Sequence, residues 1–250
     1  MDLALAYLPY FAVIYGAMLG VYFAFGSIAE WYVRRCPERK IQPEREGLKR
    51  KREEIIGSLY AIATSAFLLS AGFFAQGRGW TPAPVDLTIW SFVLWFVIGL
   101  VIFDAWFYFG HRLLHWPPMY RFHAQHHKSV APTVWSNDSS GVVDTLIEHS
   151  FYLVVWFVFP VPALSIFALR LFDQISGMIG HSGFEFFAGP TSRRPWPLIC
   201  TTFHDLHHSR FNYNYGNIFS IWDRLLGTTH PRYDAMVKEM ETAPPAEVKL

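Results

Sequence analysis

Residues 87–115, LTIWSFVLWFVIGLVIFDAWFYFGHRLLH, decide the fold of this 250-residue chain. The stretch has no charged side chain before Asp104, and it runs on through Phe109 to two histidines, His111 and His115. A helix of about 20 apolar residues spans the roughly 30 Å hydrocarbon layer of a bilayer. The stretch therefore predicts a membrane-spanning helix that projects beyond the bilayer and carries both histidines.

Other apolar segments extend this prediction to the whole chain. Residues 3–33 contain one charge, Glu30, and residues 55–76 contain none. A further apolar block, 142–179, is interrupted at 160–162 by Pro-Val-Pro, and proline ends or kinks helices. This block predicts a helical hairpin with a proline tip, formed either by two thin spans or by a re-entrant pair.

Composition agrees with a membrane protein, because 16% of the residues are charged against about 25% in a typical soluble domain. We predict an all-α, multi-pass membrane bundle of four to five hydrophobic helices, including the hairpin, with a histidine-rich helical cap on the cytoplasmic face. The chain is expected to form one integral-membrane domain, 1–250, in which residues 1–99 supply the amino-terminal spans and a basic loop. Residues 231–250 are expected to form a polar, poorly ordered tail.

The basic loop predicts the orientation of the chain. Residues 34–54 contain nine Lys/Arg and five Asp/Glu, and basic short loops stay on the cytoplasmic side. All clustered histidines then fall on that side. The short loop and the lack of a recognisable retention tail favour a bacterial inner membrane over the endoplasmic reticulum. A net charge of +1 gives no indication of nucleic-acid binding, and the two cysteines are expected to be free thiols.

The histidines predict a metal centre. They occur as one H-x-x-x-H pair, two H-x-x-H-H triplets and one histidine after the hairpin. Positions i, i+3 and i+4 share a helix face, so each triplet is expected to direct its rings to a common point, and neutral imidazole is the commonest metal ligand. Nine ligands suit two ions with four or five ligands each. The candidate ligands are His111, His115, His123, His126, His127, His181, His204, His207 and His208.

The ligand type leaves several metals open. Imidazoles without cysteine suit zinc, copper, iron or nickel, and iron is preferred because redox chemistry with oxygen would explain a site at a lipid boundary. Carboxylates are expected to hold the outward ring N–H groups, with Asp104, Asp205 and Asp223 as candidates. His149 and His230 belong to no cluster and are expected to be structural, although His149 is a potential tenth ligand.

The order and spacing of these residues resemble the fatty acid hydroxylase and sterol desaturase superfamily. The resemblance covers residues 100–230 and rests on Asp104-x3-Tyr108-x2-His111, on both triplets, and on residues 214–228. It implies a membrane-bound di-iron oxygenase in which the nine histidines are the ligands and no further side chain is assigned a catalytic role. O2 would be the co-substrate, and a C–H bond of a lipid such as a sterol or fatty acyl lipid would be hydroxylated or, less favoured, desaturated.

The resemblance also implies partners. Electrons would come from NAD(P)H through a separate reductase and a cytochrome- or ferredoxin-type carrier. The chain departs from its relatives at two places. Residues 142–145, Val-Val-Asp-Thr, replace a His-Pro-x-Glu-like element, and Gly177 stands where some relatives have another histidine. Nine ligands rather than ten are therefore expected.

Two other functions compete with this interpretation. A membrane zinc hydrolase would use a general base such as the Glu of H-E-x-x-H, and no histidine here is followed by Glu. A non-enzymatic metal-binding or transport protein would have ionisable residues throughout its spans, whereas here they collect at one end.

Overall fold

The structure, a computed structural model, describes residues 2–242. Within that range the chain is helical, and this confirms the predicted all-α class. The helices are α1 (Leu3–Val33), α2 (Lys51–Gly77), α3 (Ile89–Leu114), α4 (Pro117–His123), α5 (Val142–His149), α6 (Phe151–Val158), α7 (Ala163–Gly180), α8 (Thr201–Arg210), α9 (Ile221–Leu225) and α10 (Tyr233–Glu241).

Four segments of the described range are long and apolar enough to cross a bilayer. They are α1, α2 with the 3-10 turn before it, α3 and α7. The outer faces of α1 and α3 are lined by exposed apolar side chains such as Val13, Ile28, Trp90 and Leu94. In water such a surface would be costly, whereas lipid tails cover it readily. The multi-pass membrane prediction is confirmed.

Helix α3 connects the bilayer to the histidines, as its sequence predicts. It begins with a capping box, in which the Thr88 hydroxyl accepts the Ser91 backbone N–H and the Ser91 hydroxyl accepts the Thr88 N–H. It continues without proline until Pro117, so His111 lies in its last turn and His115 caps its end.

The predicted hairpin with a proline tip is present. Its first arm is divided at Ser150 into α5 and α6, its second arm is α7, and residues 159–162 form the turn. The short helix α6 packs against α2, where the indole of Trp156 covers Gly72. This contact joins the hairpin to the amino-terminal spans, and buried Tyr22, Leu69 and Phe103 belong to the same apolar core.

The predicted tail is wrong at its beginning. Residues 233–241 form α10, in which Tyr233 and Val237 are buried beside Cys200 and Phe203. The Tyr233 hydroxyl donates to the Ser192 carbonyl oxygen at 2.6 Å. Burial of this apolar side pays the ordering entropy that a polar tail could not. Residues 243–250 of the predicted tail lie outside the described residues. Both cysteines are free, as predicted.

The Gly72 contact provides a test of the packing between α2 and α6. A Cβ atom on Gly72 would lie 2.2 Å from Cδ1 of Trp156, so Gly72→Ala should destabilise the protein by about 1–3 kcal/mol through overpacking. The control is Gly16→Ala on α1, where a Cβ atom meets nothing within 4 Å. Thermal unfolding in detergent measures both variants, and equal unfolding temperatures would contradict the packing described.

Candidate metal centre

The structure brings all nine predicted ligands together beyond the ends of the membrane helices. His111 and His115 come from the end of α3, and His181 directly follows α7. The first triplet lies at the end of α4 and in the 3-10 turn His126–Lys128, and the second triplet lies on α8. The segments that link these elements bring the histidines to one site, so residues almost a hundred positions apart in the sequence become neighbours.

These histidines divide into two groups, in each of which the ligand nitrogens lie within 4.8 Å of one another. The five-histidine group consists of His111, His115, His123, His127 and His207. The four-histidine group consists of His126, His181, His204 and His208.

The expectation that each triplet meets at a common point is wrong, because both triplets are shared between the groups. In the first triplet His123 and His127 join one group and His126 the other, and in the second triplet His204 and His208 separate from His207. At 3.6 residues per turn, positions i and i+4 differ by about 40° around a helix, whereas i+3 and i+4 differ by about 100°. On α8 the i+3 ring, His207, therefore points to the neighbouring group, whereas in the first triplet α4 ends at His123 and His126 lies in the following 3-10 turn.

The Nε2 atoms converge within each group. In the five-histidine group the Nε2 atoms of His111 and His123 are 3.1 Å apart, and those of His115 and His127 are 3.0 Å apart. In the four-histidine group His204 Nε2 lies 2.9 Å from that of His181 and 3.1 Å from that of His208. Each group thus surrounds a small volume with ring nitrogens.

The outer nitrogens show which atoms face that volume. His111 Nδ1 lies 2.9 Å from the Tyr215 carbonyl oxygen, and His123 Nδ1 lies 2.9 Å from the Asp144 carboxylate. Both partners are acceptors, so each neutral ring carries its proton on Nδ1 and directs an Nε2 lone pair inward. Two lone pairs that face each other at 3.1 Å repel unless a cation lies between them.

The spacing of the nitrogens fits coordination angles near 90°. Two nitrogens bound to one ion at about 2.1 Å are about 3.0 Å apart at 90° and about 3.4 Å apart at a tetrahedral angle. The Nε2 separations of 2.9–3.2 Å match the former value. Five imidazoles also exceed the four ligands of a tetrahedral structural zinc site. The donor set therefore fits metal ions of higher coordination number.

Burial keeps the imidazoles neutral. Desolvation, with a smaller contribution from neighbouring rings, lowers the pKa of His126, His204 and His208 well below its usual value. Neutral rings at pH 7 retain the lone pairs that a cation requires.

The Fatty acid hydroxylase family model matches residues 96–228, which contain both groups. The chain belongs to the fatty acid hydroxylase family. Methylsterol monooxygenase erg25B of Aspergillus fumigatus is 31% identical over 169 residues, 57% of this chain and 50% of that protein. Delta(7)-sterol 5(6)-desaturase ERG3A of Gibberella zeae is 28% identical over 214 residues, 83% and 59% of the two chains.

Methylsterol monooxygenase 1 of Danio rerio is 32% identical over 158 residues, which are 62% of this chain and 53% of that protein. The chain spans between half and two thirds of the length of these relatives. No solved structure matches it.

The three carboxylates predicted to hold histidine rings in this fatty acid hydroxylase family member bind other groups instead. Asp104 accepts the backbone N–H groups of Ile218 and Phe219, and Asp223 accepts those of Tyr215 and Gly216. Both acids therefore shape the loop 213–220, whose carbonyl oxygens at Tyr213 and Tyr215 accept the ring N–H groups of His207 and His111.

Asp205 also bonds a group other than a histidine ring. It accepts the Gln42 side-chain amide at 2.8 Å. On α8 its position next to His204 directs it about 100° away around the helix. The Asp205 carboxylate therefore bonds Gln42 and not the His204 ring.

Asp144 and Glu148 are the site residues that the sequence analysis left unassigned. Among the described residues, Asp144 provides the one carboxylate bonded to a ring of either group, and Glu148 lies within 4.8 Å of both Asp144 and His123. Their i, i+4 spacing on an amphipathic helix in an otherwise apolar block was an available signal. The sequence assigns no role to this stretch, because it departs from the motif of the relatives.

The remaining histidines, His149 and His230, lie outside both groups. His149 Nε2 is 3.9 Å from Asp173, and the His230 ring packs on Tyr213. Gly177 stands where some relatives have a histidine, and the Asn137 amide oxygen lies 2.2 Å from the position of a Cβ atom there. The Asn137 side chain thus fills this space.

A cavity of about 310 Å³ adjoins the centre. Its wall includes His111 of the five-histidine group and His126, His181 and His204 of the four-histidine group. The cavity continues along α7 into the membrane-spanning part of the molecule, so a molecule within it would lie against ring edges from both groups.

The Asp144 contact predicts a measurable effect on metal affinity. Asp144→Asn should weaken metal binding about 10- to 100-fold, because a carboxylate behind a ligating ring fixes its orientation and raises its basicity. The control is Asp205→Asn, which removes a buried carboxylate without a ring contact and should change affinity less than threefold by the same reasoning. Competition with a chelator measures both, and a larger effect at Asp205 would favour the assignment made from sequence.

Proposed function

We propose that this protein is a membrane-bound di-iron oxygenase that uses O2 and externally supplied electrons to hydroxylate, or desaturate, a C–H bond of a lipid. The observation that carries the proposal is the convergence of inward Nε2 lone pairs in two buried groups beside one cavity. Family membership and the membrane-spanning helices support it.

The nine histidines would hold the two iron ions, five around one and four around the other. When bound, the iron pair supplies the O2 activation that oxidation of an unactivated C–H bond requires. The chain itself fixes the rings from behind through Tyr215, Gly177 and Asp144, which accept the Nδ1–H groups of His111, His181 and His123. Preorganised rings need no rearrangement during the reaction.

The surroundings of the centre would protect the reaction from water. Eight of the nine histidines are buried, and the apolar side chains Phe107, Ile179 and Ile218 contribute to the cavity wall. A lipid that fills the cavity displaces water from the reacting carbon, and exclusion of water prevents side reactions.

The stoichiometry of oxygen insertion requires an electron donor. When one atom of O2 enters a C–H bond, two electrons and two protons reduce the other atom to water. We propose that NAD(P)H supplies these electrons through a separate reductase and a cytochrome- or ferredoxin-type carrier. The carrier would approach the cytoplasmic face, where the basic loop 34–54 is predicted to lie, in a bacterial inner membrane.

The relatives support a lipid with a rigid polycyclic skeleton as one substrate class. Their names describe a methylsterol monooxygenase and a sterol desaturase, which oxidise sterols with different outcomes. We propose hydroxylation in preference to desaturation for this chain, with a sterol or fatty acyl lipid as substrate.

The assignment of ligands predicts the metal content. Purified protein should hold two metal ions per chain, and His207→Ala should lower the content and abolish activity because it removes one of the five imidazoles around an ion. His230→Ala, outside both groups, should retain two ions. Elemental analysis measures all three proteins. One ion per chain in the unaltered protein, or normal content in His207→Ala, would contradict the proposal.

The proposed reaction predicts a change in lipid mass. Lipids from cells that express the protein should contain a species heavier by one oxygen atom, or lighter by two hydrogen atoms for desaturation. The species should be absent with His207→Ala and present with His230→Ala. Mass spectrometry after growth in ¹⁸O₂ identifies the source of the oxygen, and an added oxygen atom without the label would show that it comes from water and contradict the proposed oxygenase.

A further inference from the structure

The buried end of the cavity contains two polar groups that the metal centre does not use. Glu148 is buried and lines the cavity, and among the described residues none donates a hydrogen bond to its carboxyl group. The adjacent His149 also lines the cavity, and its Nδ1 atom is buried without a partner. Buried polar groups are almost always hydrogen-bonded, so His149 Nδ1 and the Glu148 carboxyl group on the cavity wall are positioned to bond a molecule in the cavity.

Neighbouring charged groups do not satisfy Glu148, because they are bound to one another. Arg170 lies 3.3 Å from an Asp138 oxygen and 3.4 Å from an Asp173 oxygen, and its Nε donates to Ser65. Asp173 also accepts from Tyr152 and Asn217. The guanidinium is thus occupied by two carboxylates, and a molecule in the cavity could supply a hydrogen-bond donor for Glu148.

Other parts of the cavity wall are apolar and exposed. Phe172 on α7, together with Phe187 and Leu198 on the following loop, lines the wall, and these side chains are 40–59% exposed. An opening bordered by exposed apolar groups beside a membrane-spanning helix suits entry from lipid. The cavity therefore fits an amphipathic molecule with a polar head at the buried end and an apolar body toward the opening.

We propose that Glu148, assisted by His149, binds the hydroxyl group of a lipid alcohol and so determines which lipid the enzyme accepts. The hydroxyl donates a hydrogen bond to a Glu148 carboxyl oxygen. Its own oxygen can accept a hydrogen bond from His149 in the neutral tautomer that carries its hydrogen on Nδ1. An ester, an ether or a hydrocarbon at this position leaves the carboxyl unpaired. The inference rests on the proposed function for the reaction, and on the cavity alone for binding.

The position of Glu148 also bears on where oxidation occurs. Its carboxyl oxygen lies within 4.8 Å of a ring nitrogen of His123, and His123 belongs to the five-histidine group. A hydroxyl held there places the nearest carbons of the lipid beside the metal centre. The oxidised carbon should therefore be close to the hydroxyl rather than in the middle of a long acyl chain.

Zinc-loaded protein separates binding from turnover, because zinc does not support redox chemistry. In phosphatidylcholine nanodiscs, equilibrium binding is measured for two probe pairs: hexadecan-1-ol with its methyl ether, and cholesterol with its methyl ether. Each ether keeps the skeleton and removes the donor. In at least one pair the alcohol should bind about tenfold or more tightly, since the ether leaves a buried acceptor unpaired. Equal affinities in both pairs, or no binding of either alcohol, would overturn the proposal.

Variants assign the preference to Glu148. Glu148→Leu should reduce the preference for the alcohol to less than about threefold, whereas Glu148→Gln, which keeps an acceptor oxygen, should retain part of it. The control is Thr145→Val on the same wall, because the Thr145 hydroxyl already donates to the Gly141 carbonyl. Retention of the full preference by Glu148→Leu would overturn the proposal.

Zinc content and unfolding temperature identify variants that fail to fold. If Glu148→Leu fails to fold, the preference for the alcohol is compared between Glu148→Gln and the unaltered protein instead. An iron-loaded protein that is supplied with O2 and a source of electrons, and that binds the alcohol but leaves it unoxidised, would contradict the proposed function and not the binding site.

Discussion

The repulsion between facing imidazole lone pairs is the constraint on which this structure depends. His111 and His123 direct their Nε2 atoms at each other across 3.1 Å because acceptors behind them hold both protons on Nδ1. Folding without a cation leaves this repulsion uncompensated, and a bound ion converts it into coordination. In the four-histidine group the Nε2 atoms also lie 2.9–3.1 Å apart, and the Gly177 carbonyl accepts the Nδ1 proton of His181. Stability of the cap and metal occupancy are therefore expected to be coupled.

The rest of the cap serves to hold these rings. Asp104 near the end of α3 and Asp223 in α9 bind backbone N–H groups of the loop 213–220, and the loop in turn accepts ring protons from the histidines. Acids that contact no histidine thus control ring orientation through one intervening backbone segment. Their burial next to a membrane helix follows from this task, since irregular backbone near a bilayer needs partners inside the protein.

The division of both triplets between the two groups ties the groups together. Because each triplet contributes rings to both groups, the two centres share helices and cannot move independently. The cavity contacts mainly the four-histidine group, which has one imidazole fewer than its neighbour. An ion with fewer protein ligands beside a lipid-accessible cavity has the space that a reacting molecule requires.

The sequence by itself determined the helical class, the membrane spans, the proline hairpin and the nine histidines, because apolar length, proline and ligand spacing are local properties. Only the tertiary structure decided how the histidines divide, since the i+3 ring of each triplet meets partners from another helix. It also replaced Asp205 by Asp144 as the acid behind a ring, and it ordered residues 233–241 through Tyr233. These outcomes depend on the direction in which a side chain points after distant segments pack, and the spacing of residues along one segment does not contain that information.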